Sequence, residues 1–306
     1  MRLLRTAWGH LRHEARFAYR AGSDFYEHHN FTSAAAVAFW GMLTVIPFVL
    51  LLSGLFGVFV DWLGGPDQAA LVSEIVTSLR RFFPRLDPEV ARYLEKLIAD
   101  GSTLSLGSIP LFLIMSSALL GTLEHAIGCI YHPKQKRTVA RSTLLSMIFV
   151  VALLFLLVAA ALAGMTLARL SGPFGAAIQD LIDNPFLTPV AAAGLAVLCF
   201  SSLVRSFAIV RIPKRELALG GIVFAVFWVL ARIGFSLYLE TIAAYDLVYG
   251  SLAMLVVLLI WLYYTAVLFL YAAEWVQVRR VALRLAAVAA ELPIAPDQPP
   301  PGPLAD

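Results

Sequence analysis

One stretch leaves the chain almost no choice of environment. From Ser251 to Ala273 no residue is charged, and Glu274 with the pair Arg279–Arg280 closes the run. As a helix rising about 1.5 Å per residue it is roughly 34 Å long, enough to cross a hydrocarbon core about 30 Å thick. Inside lipid every backbone N–H and C=O must be paired within the segment, so the run has to be helical. A loop-like pair, Tyr249-Gly250, precedes it. Trp261 lies inside it, while Tyr249, Tyr271 and Trp275 lie near its ends, at the headgroup level that amphipathic rings favour.

Composition extends this to the whole chain. Of the 306 residues, 60% are hydrophobic and only 14% charged, with a mean hydropathy of +0.82. Soluble domains carry roughly 25% charged residues, so this chain could not clothe a water-facing surface. Cys129 and Cys199 both fall in apolar segments, which argues against a disulfide framework or a thiolate metal site.

Residues 1–33 read as a basic leader without the continuous apolar core of a secretory signal. Leu4, Trp8, Leu11 and Ala15 recur at helical spacing with Arg5, Arg12 and Arg16 on other faces, as in a helix lying on an anionic membrane surface. A solvated leader without lipid contact is the alternative. Asn30, Thr32 and Ser33 are candidate N-caps for the first span, roughly Ala34 to Val60. Pro47 interrupts that span and acts either as a hinge or as a static kink. The pairs Ala34/Ala38 and Ser53/Gly57, each four apart, allow close helix approach.

Residues 61–103 carry two amphipathic patterns, Val72–Leu79 and Val90–Ile98, separated by Pro84 and started again by Asp87-Pro88-Glu89. They suggest an extracytoplasmic helical hairpin, a lid or a packed cap. Four more apolar runs follow at about Leu104–Tyr131, Ser142–Ala168, Thr188–Val210 and Leu217–Thr241. The expected fold is all-α: a polytopic bundle of six transmembrane helices over 34–284, with the hairpin and an N-terminal interfacial helix added. The tail, 285–306, ends in a proline-rich stretch and is expected to be disordered.

Basic residues alternate between loops. They gather before span one, after span two (Lys134, Lys136, Arg137, Arg141), after span four (Arg211, Lys214, Arg215) and after span six (Arg279, Arg280, Arg284). By the positive-inside rule both termini are expected in the cytoplasm.

Charges at membrane depth are costly and usually functional. Glu124 and Arg205 stand at similar depth in spans two and four, which suggests that they pair. Arg232 lies roughly 24 Å along span five and either faces an internal polar cavity or snorkels to the interface. No H-E-x-x-H, Gly-x-Ser-x-Gly or phosphate-loop motif occurs. His28 and His29 are adjacent and so a poor metal pair, and a juxtamembrane role is expected for them. No catalytic residue, metal or cofactor emerges, and the basic clusters follow topology rather than nucleic-acid binding.

The chain resembles the YihY/BrkB family of bacterial inner-membrane proteins. The resemblance rests on SAAAVAFWGMLTVIPFVLLL at Ser33–Leu52, ALLGTLEHAIGCIYH at Ala118–His132, and Phe235–Glu274 with its Tyr249-Gly250…Trp261-Leu262-Tyr263…Glu274 pattern. It implies six spans and roles of the kind proposed for some members, serum resistance and envelope lipid export. It also brings the older label of ribonuclease, against which the residues argue: RNA cleavage needs a metal cluster or a positioned acid–base pair. The expected function is transport or flipping of an amphipathic or anionic solute, with membrane lipids as partners and Arg232, Glu124 and Arg205 as substrate contacts. In that scheme Pro47 and the helix of Trp261 and Glu274 line the path. A non-transporting scaffold for envelope integrity is the rival.

Overall fold

The computed structural model describes residues 16–62, 101–132, 144, 147–152, 155, 187–241 and 253–291. Its helices are α1 (residues 16–27), α2 (Asn30–Trp62), α3 (Gly101–Tyr131), α4 (Leu187–Phe207), α5 (Lys214–Thr241) and α6 (Ala253–Glu291). Among the described residues there is no strand. Five helices, α2 to α6, are long and apolar enough to cross a membrane. Of the run expected over Ser142–Ala168, residues 144, 147–152 and 155 are helical; the remainder lies outside the described residues. So do the Leu4–Ala15 pattern, Tyr249-Gly250, the tail beyond 291 and, apart from edges that extend α2 and α3, the hairpin within 61–103.

Two helices outrun their expected ends. α2 begins at Asn30 rather than Ala34, and α6 continues past Glu274 and Arg279–Arg280 to Glu291. Charge ends a span, not a helix: Val281–Ala290 contains only Val, Ala, Leu and Arg, with neither Gly nor Pro to stop it. At 39 residues, α6 is roughly 58 Å long, well beyond a hydrocarbon core of about 30 Å. α2 runs straight through Pro47, whose side chain is fully buried.

α6 is the central helix, lying against α2 on one side and α5 on the other, with α2 paired to α3 and α4 to α5. Small residues make this approach possible. Ala34 and Ala38 on α2 and Ala266, Ala272 and Ala273 on α6 are all buried. Gly41 sits so that an added Cβ would touch Leu262 at 3.5 Å. Between α4, α5 and α6 the rings of Phe200, Phe224 and Phe269 meet at centroid distances of 5.1 to 5.7 Å. The outer faces are apolar: Ile222, Val226, Leu230, Ile233 and Leu237 on α5, and Val190, Leu195 and Leu198 on α4, are all exposed. Bare stripes of this size suit acyl chains and would be untenable in water.

Candidate functional site

At one end of the bundle the start of α2, the close of α3 and the second half of α6 converge. The break between α1 and α2 is made at His28 and His29, the latter in the left-handed region at φ 53°. The His29 carbonyl accepts from the N–H groups of Thr32 and Ser33 at 3.0 and 3.2 Å, which starts α2. Asn30 therefore does not cap its helix, contrary to the expectation from sequence. Its side chain points the other way, into the bundle.

α1 is held on α6 by its inner face, where Ala21 and Phe25 are buried and the Tyr271 hydroxyl donates to the Ala18 carbonyl at 3.2 Å. This fixes the turn so that both polar side chains reach Glu274, which is wholly buried. Glu274 Oε1 meets His28 Nδ1 at 2.6 Å and accepts from Asn30 Nδ2 at 2.7 Å. His28 is the exposed edge of the group, its side chain 27% accessible against 1% for Glu274. α3 closes the third side. The Tyr131 hydroxyl donates to the Ala273 carbonyl at 3.1 Å, and the His132 ring lies 5.1 Å from that of His28. His132 itself ends α3 at φ 44°.

The donors are unevenly shared. Oε1 takes both, while Glu274 Oε2 and Asn30 Oδ1, equally buried, have no hydrogen-bond partner among the described residues. An unsatisfied buried polar atom costs about 1–3 kcal/mol, more when charged, so such an arrangement is retained for a reason.

A second ion pair ties the next helix to the same region. Arg279 Nε donates to Glu216 Oε2 at 2.9 Å, joining α6 to the first turn of α5, where a carboxylate also complements the helix dipole. The guanidinium lies 4.8 Å from the Trp275 ring and 5.8 Å from that of Phe17. Arg279→Lys keeps the charge but loses the planar stacking, and should destabilise the protein by about 1 kcal/mol. Denaturant unfolding of the purified protein in bicelles, compared with the unaltered chain, measures it.

The residues expected to bind substrate are not gathered here. Glu124 is half-buried on α3, Arg205 is exposed in the last turn of α4, and Arg232 is exposed on α5. Trp261 packs on Trp228 and Phe235 of α5 at 6.3 and 5.1 Å, in the helix seam. Of the expected motif residues, Glu274 is central to the cluster. His28 and Asn30 were missed because their partner lies 246 and 244 residues away. Among the described residues no group of three or more His, Cys, Asp or Glu side chains could hold a metal.

A helical bundle with five membrane-length helices, apolar outside and polar at one end, defines a multi-pass membrane protein. The chain belongs to the family described as Virulence factor BrkB, which matches residues 21–291. A UPF0761 membrane protein of Cronobacter sakazakii is 26% identical over 81% of this chain and 83% of its own length. Another, from Enterobacter sp. (strain 638), is 28% identical over 67% of this chain and 71% of its own. UPF0761 membrane protein YihY of Escherichia coli O7:K1 is 25% identical over the same shares, 67% and 71%. No solved structure matches.

Proposed function

We propose that this protein sits in the bacterial inner membrane with its basic end and both termini in the cytoplasm. There it moves an amphipathic or anionic solute, envelope lipid being the favoured class, as a transporter or flippase-like protein. The observation that carries this reading is Arg232. It is exposed on α5, a helix whose other exposed side chains include the apolar Ile222, Val226, Leu230 and Ile233, with no hydrogen bond or ion pair among the described residues. A guanidinium held there suits the phosphate or carboxylate of an amphiphile whose tails stay in the bilayer.

The test is movement of a fluorescent anionic phospholipid across vesicles containing the full chain. A charge-assisted hydrogen bond contributes about 1.5–3 kcal/mol, so Arg232→Ala should slow movement roughly tenfold or more. Arg232→Lys should retain part of it. Unchanged movement by folded Arg232→Ala protein removes Arg232 from the path. No movement by the unaltered protein leaves the scaffold reading in its place.

A further inference from the structure

We propose that His28 and Glu274, positioned by Asn30, form a proton-binding site at the basic end of the bundle, taking up and releasing one proton as a unit. The inference stands apart from the role of Arg232 and does not require that a solute be moved.

The geometry supplies three requirements. The first is a deficit of donors. Both donors that reach Glu274, His28 Nδ1 and Asn30 Nδ2, converge on Oε1, and two buried acceptors, Glu274 Oε2 and Asn30 Oδ1, are left without a partner among the described residues. Around Glu274 the acceptors outnumber the donors; the buried donor left over among the described residues, Arg280 Nε, belongs six residues further along α6, and a positive charge added beside the carboxylate is favoured. The second is a group that can carry it. With Nδ1–H donated to Oε1, the Nε2 lone pair of His28 is free to accept a proton from water. The neutral ring then becomes an imidazolium, and the pair goes from one negative charge to none. The third is a route. His28 forms the accessible edge of the cluster while Glu274 is sealed behind it, so the proton reaches the carboxylate through the imidazole.

Other charges face the site from each packed element: Asp24 on α1, Tyr131 and His132 at the end of α3, and Arg280 further along α6. Arg280 Nη1 donates to Gln277 Oε1 at 2.7 Å, and its buried Nε has no partner among the described residues, so this cation is not bonded to Glu274. Among the described residues no permanent positive charge is bonded to Glu274, and an exchangeable one can fill that place. Because the two partners belong to α6 and to the α1–α2 turn, the proton sits on the seam between them.

Infrared difference spectra of the full chain in lipid nanodiscs, recorded between acidic and alkaline buffers, test this. The expected result is a carboxyl or imidazole band pair that titrates in the unaltered protein. It should vanish both in Glu274→Gln and in His28→Gln, and survive in His29→Asn, a residue that tolerates the left-handed turn. Common loss in the two variants marks one coupled site. Should neither variant fold, ¹⁵N spectra of the histidines in the unaltered protein decide: one ring must change protonation at Nε2 while its Nδ1 stays hydrogen-bonded. The proposal is overturned if no band titrates, if the band survives either substitution, or if it follows sodium at constant pH, which would mark a metal-cation site instead.

Discussion

Alanine at Gly220 is expected to destabilise the bundle by roughly 1–3 kcal/mol, the range for overpacking a tight core. Propensity alone points the other way, since alanine is favoured over glycine inside a helix by about 1 kcal/mol. Packing wins because of where the methyl would go. A Cβ at 220 would stand 2.1 Å from Val276 Cγ2 and 3.0 Å from Phe200 Cε1, and both neighbours are fully buried. Neither has room to turn away. Val276→Ala removes the obstructing atom, so the double variant should recover most of the loss. Gly221 provides the contrast. There an added Cβ would meet the backbone of Val197, its oxygen at 3.0 Å and Cα at 3.1 Å. Trimming the Val197 side chain cannot relieve that, so Gly221→Ala should remain destabilised beside Val197→Ala. Denaturant unfolding in bicelles measures the four single and two double variants. A Gly220→Ala protein as stable as the parent would mean that α4, α5 and α6 pack less closely than described.

These glycines show what could be read from the sequence and what could not. The five described spans were legible because their cause is local: an unbroken apolar run in lipid has to be helical whatever its neighbours do. The prominence given to Ser251–Ala273 was justified, since α6 is the helix on which both helical pairs pack. The polar cluster was legible only at Glu274, whose place at the end of that run is visible in one dimension. Asn30 before an apolar helix has the local signature of an N-cap. Only contact with Glu274 reassigns it, and contacts between residues so far apart leave no periodicity to read. His28 was legible only as a residue at the edge of the first span. The left-handed turn at His29 and the contact with Glu274, which make it part of the cluster, leave no mark in its neighbours. The match of Glu124 with Arg205 rests on depth along their helices alone, and depth carries no information about which way a side chain faces.

Glu274→Leu should cost roughly 3–5 kcal/mol, because removing one member of a buried charged pair strands its partners. His28 Nδ1 and Asn30 Nδ2 would lose the oxygen they share, and Asn30, wholly buried, would have no water to turn to. The loss should also loosen α1, whose junction with α2 is pinned to α6 through these bonds, so cleavage by protease near residues 16–27 should quicken. The decisive comparison is the triple variant His28→Leu/Asn30→Leu/Glu274→Leu. Well-packed apolar residues often replace a buried ionic group neutrally or with a gain in stability. The triple protein should therefore be more stable than Glu274→Leu alone, and close to the parent. If it is no better than the single variant, the seam owes its stability to something other than the polar contacts. If it recovers stability but loses the titrating signal and any solute movement, Glu274 and Asn30, each with an oxygen unpartnered among the described residues, serve function and not folding. That outcome is the expected one: a seam needing only to hold three helices together would be filled more cheaply by leucine than by a carboxylate with one oxygen unpartnered among the described residues.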